Sequence, residues 1–413
     1  MRRVLIVGGG QSGLQLALCL LEHDYDVTLM TVHNASELYA GRAVSAQILY
    51  DKSRGSEREY GLNFWDEVAP PLTAFRASSY GSDGTRFFDW IGRTEAPAHS
   101  IDERVKMSVW LEILEERGGK VVLHGATGSD LDHLTRMFDL TIVAAGHSGL
   151  ADMFSVDTSR ELARMPPVAT AIAYVEESPD HPDQEIGINI NPELGHLATW
   201  PAYSVNGRCS LMLLTGRASG PMSRFPQRIS PQEHLELMLQ LMAEYFPHRH
   251  REYRGARLAD DRAVALDHTH PLVRHPIAHL PSGGSVLGMG DTVVVTSVAM
   301  LQEANNAAMA AKVYLDAILE HGDRPFDGDF MQSTFDRYME YAQYFTGAVA
   351  ARLHLTTPDV TEFCMAADTH PSLADRFGRD YGDPPKFAEW FAEEADLRAM
   401  IAEAVENTST AGT

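Results

Sequence analysis

The chain has 413 residues, 44% of them hydrophobic and 22% charged, long enough for two domains with ample core. Its formal net charge of −23 argues against nucleic acid and anionic membrane surfaces as partners, because both call for basic patches. No apolar run approaches the roughly 18 to 20 residues of a membrane span, and glycines break the N-terminal apolar stretch, so neither a span nor a signal peptide is expected.

In chain order, RVLIV (3–7) reads as a short buried strand and 11–23 as a helix, with Leu14, Ala17, Leu18 and Leu21 on one inward face. DVTLMT (26–31) reads as a second strand, and this unit opens a parallel α/β sheet. Residues 102–117 predict an amphipathic helix ended by Gly118 and Gly119, and KVVLHGA (120–126) and DLTIVAAG (139–146) predict further strands. From about 165 to 215, VATAIAYVEE, EIGINI, HLATWPAY and CSLMLLTG predict antiparallel strands of a separate sheet, followed by a helix at 231–245. GSVLGMGD (284–291) leads into a long helical stretch from about 298 to 320. Residues 326–406 read as all helix, and the polar tail NTSTAGT reads as disordered. The expected organisation is a discontinuous cofactor domain (1–160 with 280–325), a β-sheet substrate domain (161–279) and a helical C-terminal region (326–413).

Gly8-Gly9-Gly10-Gln11-Ser12-Gly13 fits G-x-G-x-x-G, placed between a strand and a helix as a Rossmann-type dinucleotide turn requires. Gly8 permits the tight turn, Gly10 lets backbone approach a pyrophosphate, and Gly13 lets helix and strand pack closely. The phosphates then face the free N–H groups of the helix N-terminus. The second strand ends Leu29-Met30-Thr31-Val32-His33, with neither the carboxylate that holds an NAD ribose nor an arginine for NADP, which leaves the ribose to Thr31 or backbone. The second segment, GMGD, places Asp291 at a strand end, where it can bond a ribityl hydroxyl. The helix N-terminus behind it can face the flavin N1/C2 edge. The pair of segments points to FAD with no bound nicotinamide.

With these residues in place, the chain resembles the styrene monooxygenase/indole monooxygenase family, two-component flavoprotein monooxygenases of the hydroxybenzoate-hydroxylase fold. The resemblance is carried by the N-terminal turn with HDYDVT, YAGRAVS (39–45), Ala96-Pro97 before Asp102 and Arg104, FDLTIVAAGHSGL (138–150), GMGD, and Gln302, Ala304 and Asn305 beyond it. It implies non-covalent FAD, received already reduced from a separate NADH-dependent flavin reductase. It further implies reaction with O₂ to a C4a-(hydro)peroxyflavin that epoxidises or hydroxylates a small aromatic substrate. Gly8, Gly10 and Gly13 carry over to the pyrophosphate, Arg42 to the flavin region, Arg104 to the phosphates or ribityl chain, and Asp291 to the ribityl hydroxyls. Gln302 and Asn305 fall at the cofactor too. Ser45, Gln47 and Leu49 line the substrate pocket if the match holds, read as one face of a strand, with Ala98 and Trp200. Ser45, Gln47 and Ala98 match the indole type rather than the styrene type, and Gln47 can accept a hydrogen bond from an indole N–H.

One stretch departs from the family pattern. Where relatives carry Asp-Pro-Val-x-Gly-Gln-Gly-Ala-Asn, this chain has Ser297-Val298-Ala299-Met300-Leu301-Gln302-Glu303-Ala304-Asn305. Leu301 and Glu303 are expected to restrict close backbone approach and to disfavour an anionic reduced flavin. Alternatives stay open: a self-sufficient NAD(P)H-dependent hydroxylase or halogenase of the same fold, or a non-catalytic flavin-binding protein. His268, His270, His275 and His279, with His248 and His250, complete no recognisable metal site, so no metal is expected. Cys19, Cys209 and Cys364 are few and far apart, which points to a reducing, cytoplasmic setting without a disulfide framework. Other pocket candidates are His196 and Tyr203, and Tyr341, Tyr344 and Phe345 in the C-terminal helices. A homodimer is left open.

Overall fold

The computed structural model describes residues 1–81, 83–146, 148–160, 166–177 and 184–411. His147 of the family-like segment, residues 161–165 at the expected domain boundary and the last two residues of the tail lie outside these. The tail expectation is corrected in part, since the helix Glu394–Ala411 runs through 407–411.

Two sheets organise the chain. The first has six strands in the order Ile277–His279, Ser285–Gly288, Leu140–Val143, Arg3–Val7, Asp26–Thr31, Lys120–Leu123. All pair in parallel except the Ile277–His279 edge strand. The first strand is central, with Val4 beside both Val27 and Leu140, which explains its unbroken apolar run.

The helix Gln11–Leu21 that follows is buried from Gln11 to Leu20, not along one face as its spacing suggested. It lies between the sheet and the helix Glu303–His321, so both sides meet protein. Its glutamines are tied internally: Gln11 Nε2 donates to Gln15 Oε1 (2.8 Å), and Gln15 Nε2 donates to the Ala308 carbonyl (3.1 Å), while Gln11 Oε1 has no partner among the described residues.

The second sheet has seven strands in the order Val264–Thr269, Val168–Glu176, Gly207–Arg217, Gly195–Ser204, Glu185–Asn191, Leu72–Tyr80, Arg86–Ala98. Four of them fall where the sequence places an antiparallel sheet. The hairpin 72–98 was not anticipated, and it joins this sheet although it lies within 1–160 in sequence. Its inner strand pairs in parallel with Glu185–Asn191, so the sheet is not purely antiparallel. Alanines 169, 171 and 173 with Val175 pack on one face against the helix Pro231–Tyr245, while Ile172 and Tyr174 face the main core.

Six helices from Gly328–Thr346 to Glu394–Ala411 form the C-terminal region. They cover the hairpin through aromatic contacts, with Phe377 5.5 Å from Phe75 and 5.3 Å from Trp90 in edge-on geometry. Cys19, Cys209 and Cys364 are buried free thiols. Among the described residues no helix is long and apolar enough to cross a membrane, and no cluster of three histidines, cysteines or carboxylates could hold a metal.

Candidate functional site

A cavity of about 1480 Å³ opens between the two sheets, larger than the roughly 300–1,000 Å³ of an ordinary ligand pocket. One end is the glycine turn. Gly8 adopts φ +127°, and a Cβ there would lie 2.1 Å from the Ala144 carbonyl oxygen. A Cβ on Gly13 would lie 2.1 Å from the Gly8 oxygen, so helix and strand meet at backbone distance. Gly10 caps the helix N-terminus without a side-chain hydrogen bond, and no acidic residue sits in the first turn. The free N–H groups therefore face the cavity beside Gly8, Gly9 and Gly10, an arrangement that suits a pyrophosphate. Thr31 and the exposed Arg42 line the same end.

Asp291 also lines the cavity, in a short 3-10 turn Gly290–Thr292 that packs against Ser12 of the glycine turn. The GMGD segment does not run straight into a helix as expected. A two-residue strand and a second 3-10 turn, Val298–Met300, intervene before the helix begins at Glu303. Leu301, where relatives carry glycine, takes φ +51°, a left-handed conformation costing a branched residue on the order of 1 kcal/mol. The C-terminal helices hold it there. Tyr381 Oη donates to the Met300 carbonyl (2.5 Å), and Gln302 Nε2 donates to the Tyr381 carbonyl (3.1 Å).

Ser45 and Gln47 both line the cavity. The segment 42–48 is irregular, and Leu49 just after it makes a single bridge to His99, so the expected strand is not formed. Ser45 Oγ donates to Glu103 Oε2 at 2.6 Å. Gln47 is 5% exposed, and its Oε1 has no hydrogen-bond partner among the described residues.

Several expected contacts are corrected. Arg104 does not line the cavity. It is 4% exposed and spends its guanidinium on Asp102 (2.7 Å) and Asp260 (2.8 Å), with Ser204 also in reach. Gln302 is turned to Tyr381, and Asn305 receives the Tyr50 N–H and donates to the Ile48 carbonyl, both at 2.8 Å. These three are structural ties rather than cofactor contacts. Leu49 packs with Ala304 and Ala308, Ala98 is fully buried in the core, and Trp200 Nε1 donates to Ser100 Oγ (2.9 Å). None of these three faces the cavity. Neither do Tyr203, Tyr341, Tyr344 and Phe345, and His196 meets Thr356 Oγ1 (3.1 Å) at a separate cavity of about 350 Å³.

Two of these misplacements share one cause. Consecutive helix residues point roughly 100° apart. In the helix Glu103–Glu116 it is Glu103, not Arg104, that faces the cavity, and in Glu303–His321 it is Glu303, Ala304 and Ala307 rather than Gln302 and Asn305. Glu103 was thus one position from a residue already singled out, while Glu303 was itself singled out as a departure from the family pattern. The walls supplied by Thr170, Ile172, Gln227, His234 and Asp267 carried no local signal.

The lining is electrostatically lopsided. Glu103, Asp267, Asp291 and Glu303 bring four carboxyl groups, against Arg42, Arg228 and two histidines. Burial pushes His234 down to about 4, so it is neutral at physiological pH. Burial raises Glu103 against the Ser45 hydrogen bond that favours its charged form, with Asp102 and Asp291 adding repulsion. Burial, with the charges of Asp291 and Asp267, pushes Glu303 up to about 8 against backbone hydrogen bonds at Glu303 and Gln302 that favour its charged form.

A family model described as "Styrene monooxygenase A putative substrate binding domain" matches residues 146–251. The chain is 25% identical over 396 residues to styrene monooxygenase StyA of Pseudomonas fluorescens, covering 93% of this chain and 94% of that protein. Among solved structures, a flavoprotein/dehydrogenase from Cytophaga hutchinsonii superposes with a TM-score of 0.65 at 12% identity, covering 98% of this chain and 99% of that one. A 2-methyl-3-hydroxypyridine-5-carboxylic acid oxygenase superposes with a TM-score of 0.59 at 14% identity, covering 94% and 98%. At these identities the structural matches speak for the fold alone. That fold is a mixed α/β flavoprotein architecture with a parallel dinucleotide-type sheet, a second sheet and a helical C-terminus.

Proposed function

Because the chain belongs to the styrene monooxygenase family of flavin-dependent monooxygenases, we propose that it oxygenates a small N–H-bearing aromatic of the indole class. In this reading it holds FAD non-covalently and receives it already reduced from a separate NADH-dependent flavin reductase. The observation that carries the substrate class is Gln47, a cavity-lining residue whose buried Oε1 has no hydrogen-bond partner among the described residues. An unmade hydrogen bond at such an acceptor costs about 1–3 kcal/mol, which an N–H donor recovers and a bare alkene does not.

The residues present fit the cofactor. The uncapped helix N-terminus at Gly10 suits the pyrophosphate, with Gly8 and Gly13 setting the turn and Arg42 adding positive charge. Asp291 would accept from ribityl hydroxyls. When bound, the reduced flavin supplies the electrons for O₂ activation. The protein's part is to orient the substrate through Ser45 and Gln47 and to keep water away with Ile172, Ala265 and Val295. The functional division then runs between a cofactor unit, 1–160 with 280–325, and a substrate unit, 161–279, to which the hairpin 72–98 lends two strands.

A coupled assay with a flavin reductase, NADH and FAD, run against indole and styrene, tests the reading. Oxygenation of indole, seen as indigo, ahead of styrene epoxidation is the expected result. Oxidation of NADH by the purified protein alone would instead support a self-sufficient hydroxylase. Oxygenation of neither substrate nor of other N–H aromatics would remove the proposal.

A further inference from the structure

Glu303 is the first residue of a 19-residue helix and lines the cavity. Its Oε1 is closed off from solvent and has no hydrogen-bond partner among the described residues. No side chain caps that helix, and among the described residues no arginine or lysine forms an ion pair with Glu303; its carboxyl group is met instead by backbone hydrogen bonds at Gln302 and Glu303. The groups that face it are acidic or phenolic: Asp291 from the turn after the Ser285–Gly288 strand, Asp267 from the Val264–Thr269 strand, Tyr50 before the helix Asp51–Glu59, and Tyr381 at the end of Pro371–Tyr381. Glu103 lines the same cavity beside Gly10, held by Ser45. A charged Glu303 would thus sit buried among like charges with only the backbone hydrogen bonds at Gln302 and Glu303 to offset them, whereas the neutral acid can donate its O–H.

A reduced flavin that carries a negative ring adds one more charge to this wall. We propose that Glu303 is the hydrogen-bond donor to the electron-rich edge of the reduced flavin, and that the pocket binds the reduced anion only with Glu303 protonated. The inference rests on the flavin reading given above. It makes Glu303 a positioning residue that couples flavin affinity to pH. Oxidised FAD, with an uncharged ring, has far less to gain from the same proton.

The sign of the dependence follows from the protonated form being the competent one. Affinity for reduced FAD is full below the pKa of the free protein's Glu303, about 8, and falls as pH rises through it. Above it the loss is roughly tenfold per pH unit for one linked proton.

The test is equilibrium binding of FAD, oxidised and anaerobically reduced, between about pH 6.5 and 9.5, read by flavin fluorescence or absorbance. The wild-type protein is expected to lose affinity for the reduced form with that slope, and Glu303→Gln, a neutral isostere, is expected to show a flatter profile than wild type. Calorimetry of the wild-type protein in buffers of different ionisation enthalpy needs no variant, and near pH 9 it should report uptake of about one proton on binding reduced FAD. A flat wild-type profile, no proton uptake, or a Glu303→Gln profile that matches wild type overturns the inference and leaves the flavin reading intact. Failure of both FAD forms to bind wild type at any pH overturns the flavin reading, and the inference with it.

Discussion

Two parts of the cavity lining are built on different principles. The glycine turn is backbone: Gly8 and Gly13 bring main chain to within a methyl group's width, and an uncapped helix end supplies N–H groups. The rest of the lining is largely side chain, drawn from residues 42–47, the Val264–Thr269 strand, Asp291 and the start of Glu303–His321. A backbone site tolerates almost nothing and is written in one contiguous stretch. A side-chain site can be rewritten one residue at a time, as Leu301 and Glu303 illustrate.

The strongest way to break that contrast is Gly13→Val. Its Cβ would meet the Gly8 carbonyl at 2.1 Å, and relief must come from backbone. We expect a loss of about 4 kcal/mol and of bound FAD, measured by thermal unfolding and flavin retention. Normal stability and FAD retention would show that the turn is looser than its geometry.

Arg104→Ala comes next, and it separates cofactor contacts from structural ties. It strands Asp102 and Asp260 at the junction of the Glu103–Glu116 helix with the second sheet, and should cost about 3 kcal/mol. The FAD dissociation constant of the folded fraction should stay within a factor of about two. A large fall in FAD affinity without loss of stability would return Arg104 to the cofactor. Gln47→Leu tests the side-chain end. It should cut kcat/KM for an N–H aromatic roughly tenfold and leave a bare alkene nearly unaffected. Equal losses on both substrates would deny Gln47 its role in selection. Smallest of all, Leu301→Gly relieves a left-handed backbone and removes a side chain that is 5% exposed. The two effects oppose each other, so a net change in stability below about 2 kcal/mol is expected on denaturant unfolding.

The same contrast decides what could be read before any coordinates. The glycine turn, the strands at 3–7 and 26–31 and the helix at 231–245 follow local rules of spacing and close packing, and they fall where the sequence puts them. The hairpin 72–98 was missed because its place is set by pairing with Glu185–Asn191, more than a hundred residues away. Ser45 and Gln47 reach the cavity although the strand expected to present them does not form. Arg104, Gln302 and Asn305 each answer to a partner remote in sequence, Asp260, Tyr381 and Tyr50, and no periodicity encodes such partners. The motif around Arg104 and the one around Asn305 mark the right wall. Helical geometry then presents the neighbouring glutamate.

The grip of Tyr381 on the loop before Glu303 also sets an order in time. A chain leaves the ribosome N-terminus first, at about 5–20 residues per second. The glycine turn and its helix come from one early stretch, but the Met300 carbonyl meets its partner 81 residues later. That interval corresponds to about 4 to 16 seconds of synthesis. The glycine-turn part of the cavity is thus made of segments that emerge well before the Tyr381 clamp on the loop that precedes Glu303.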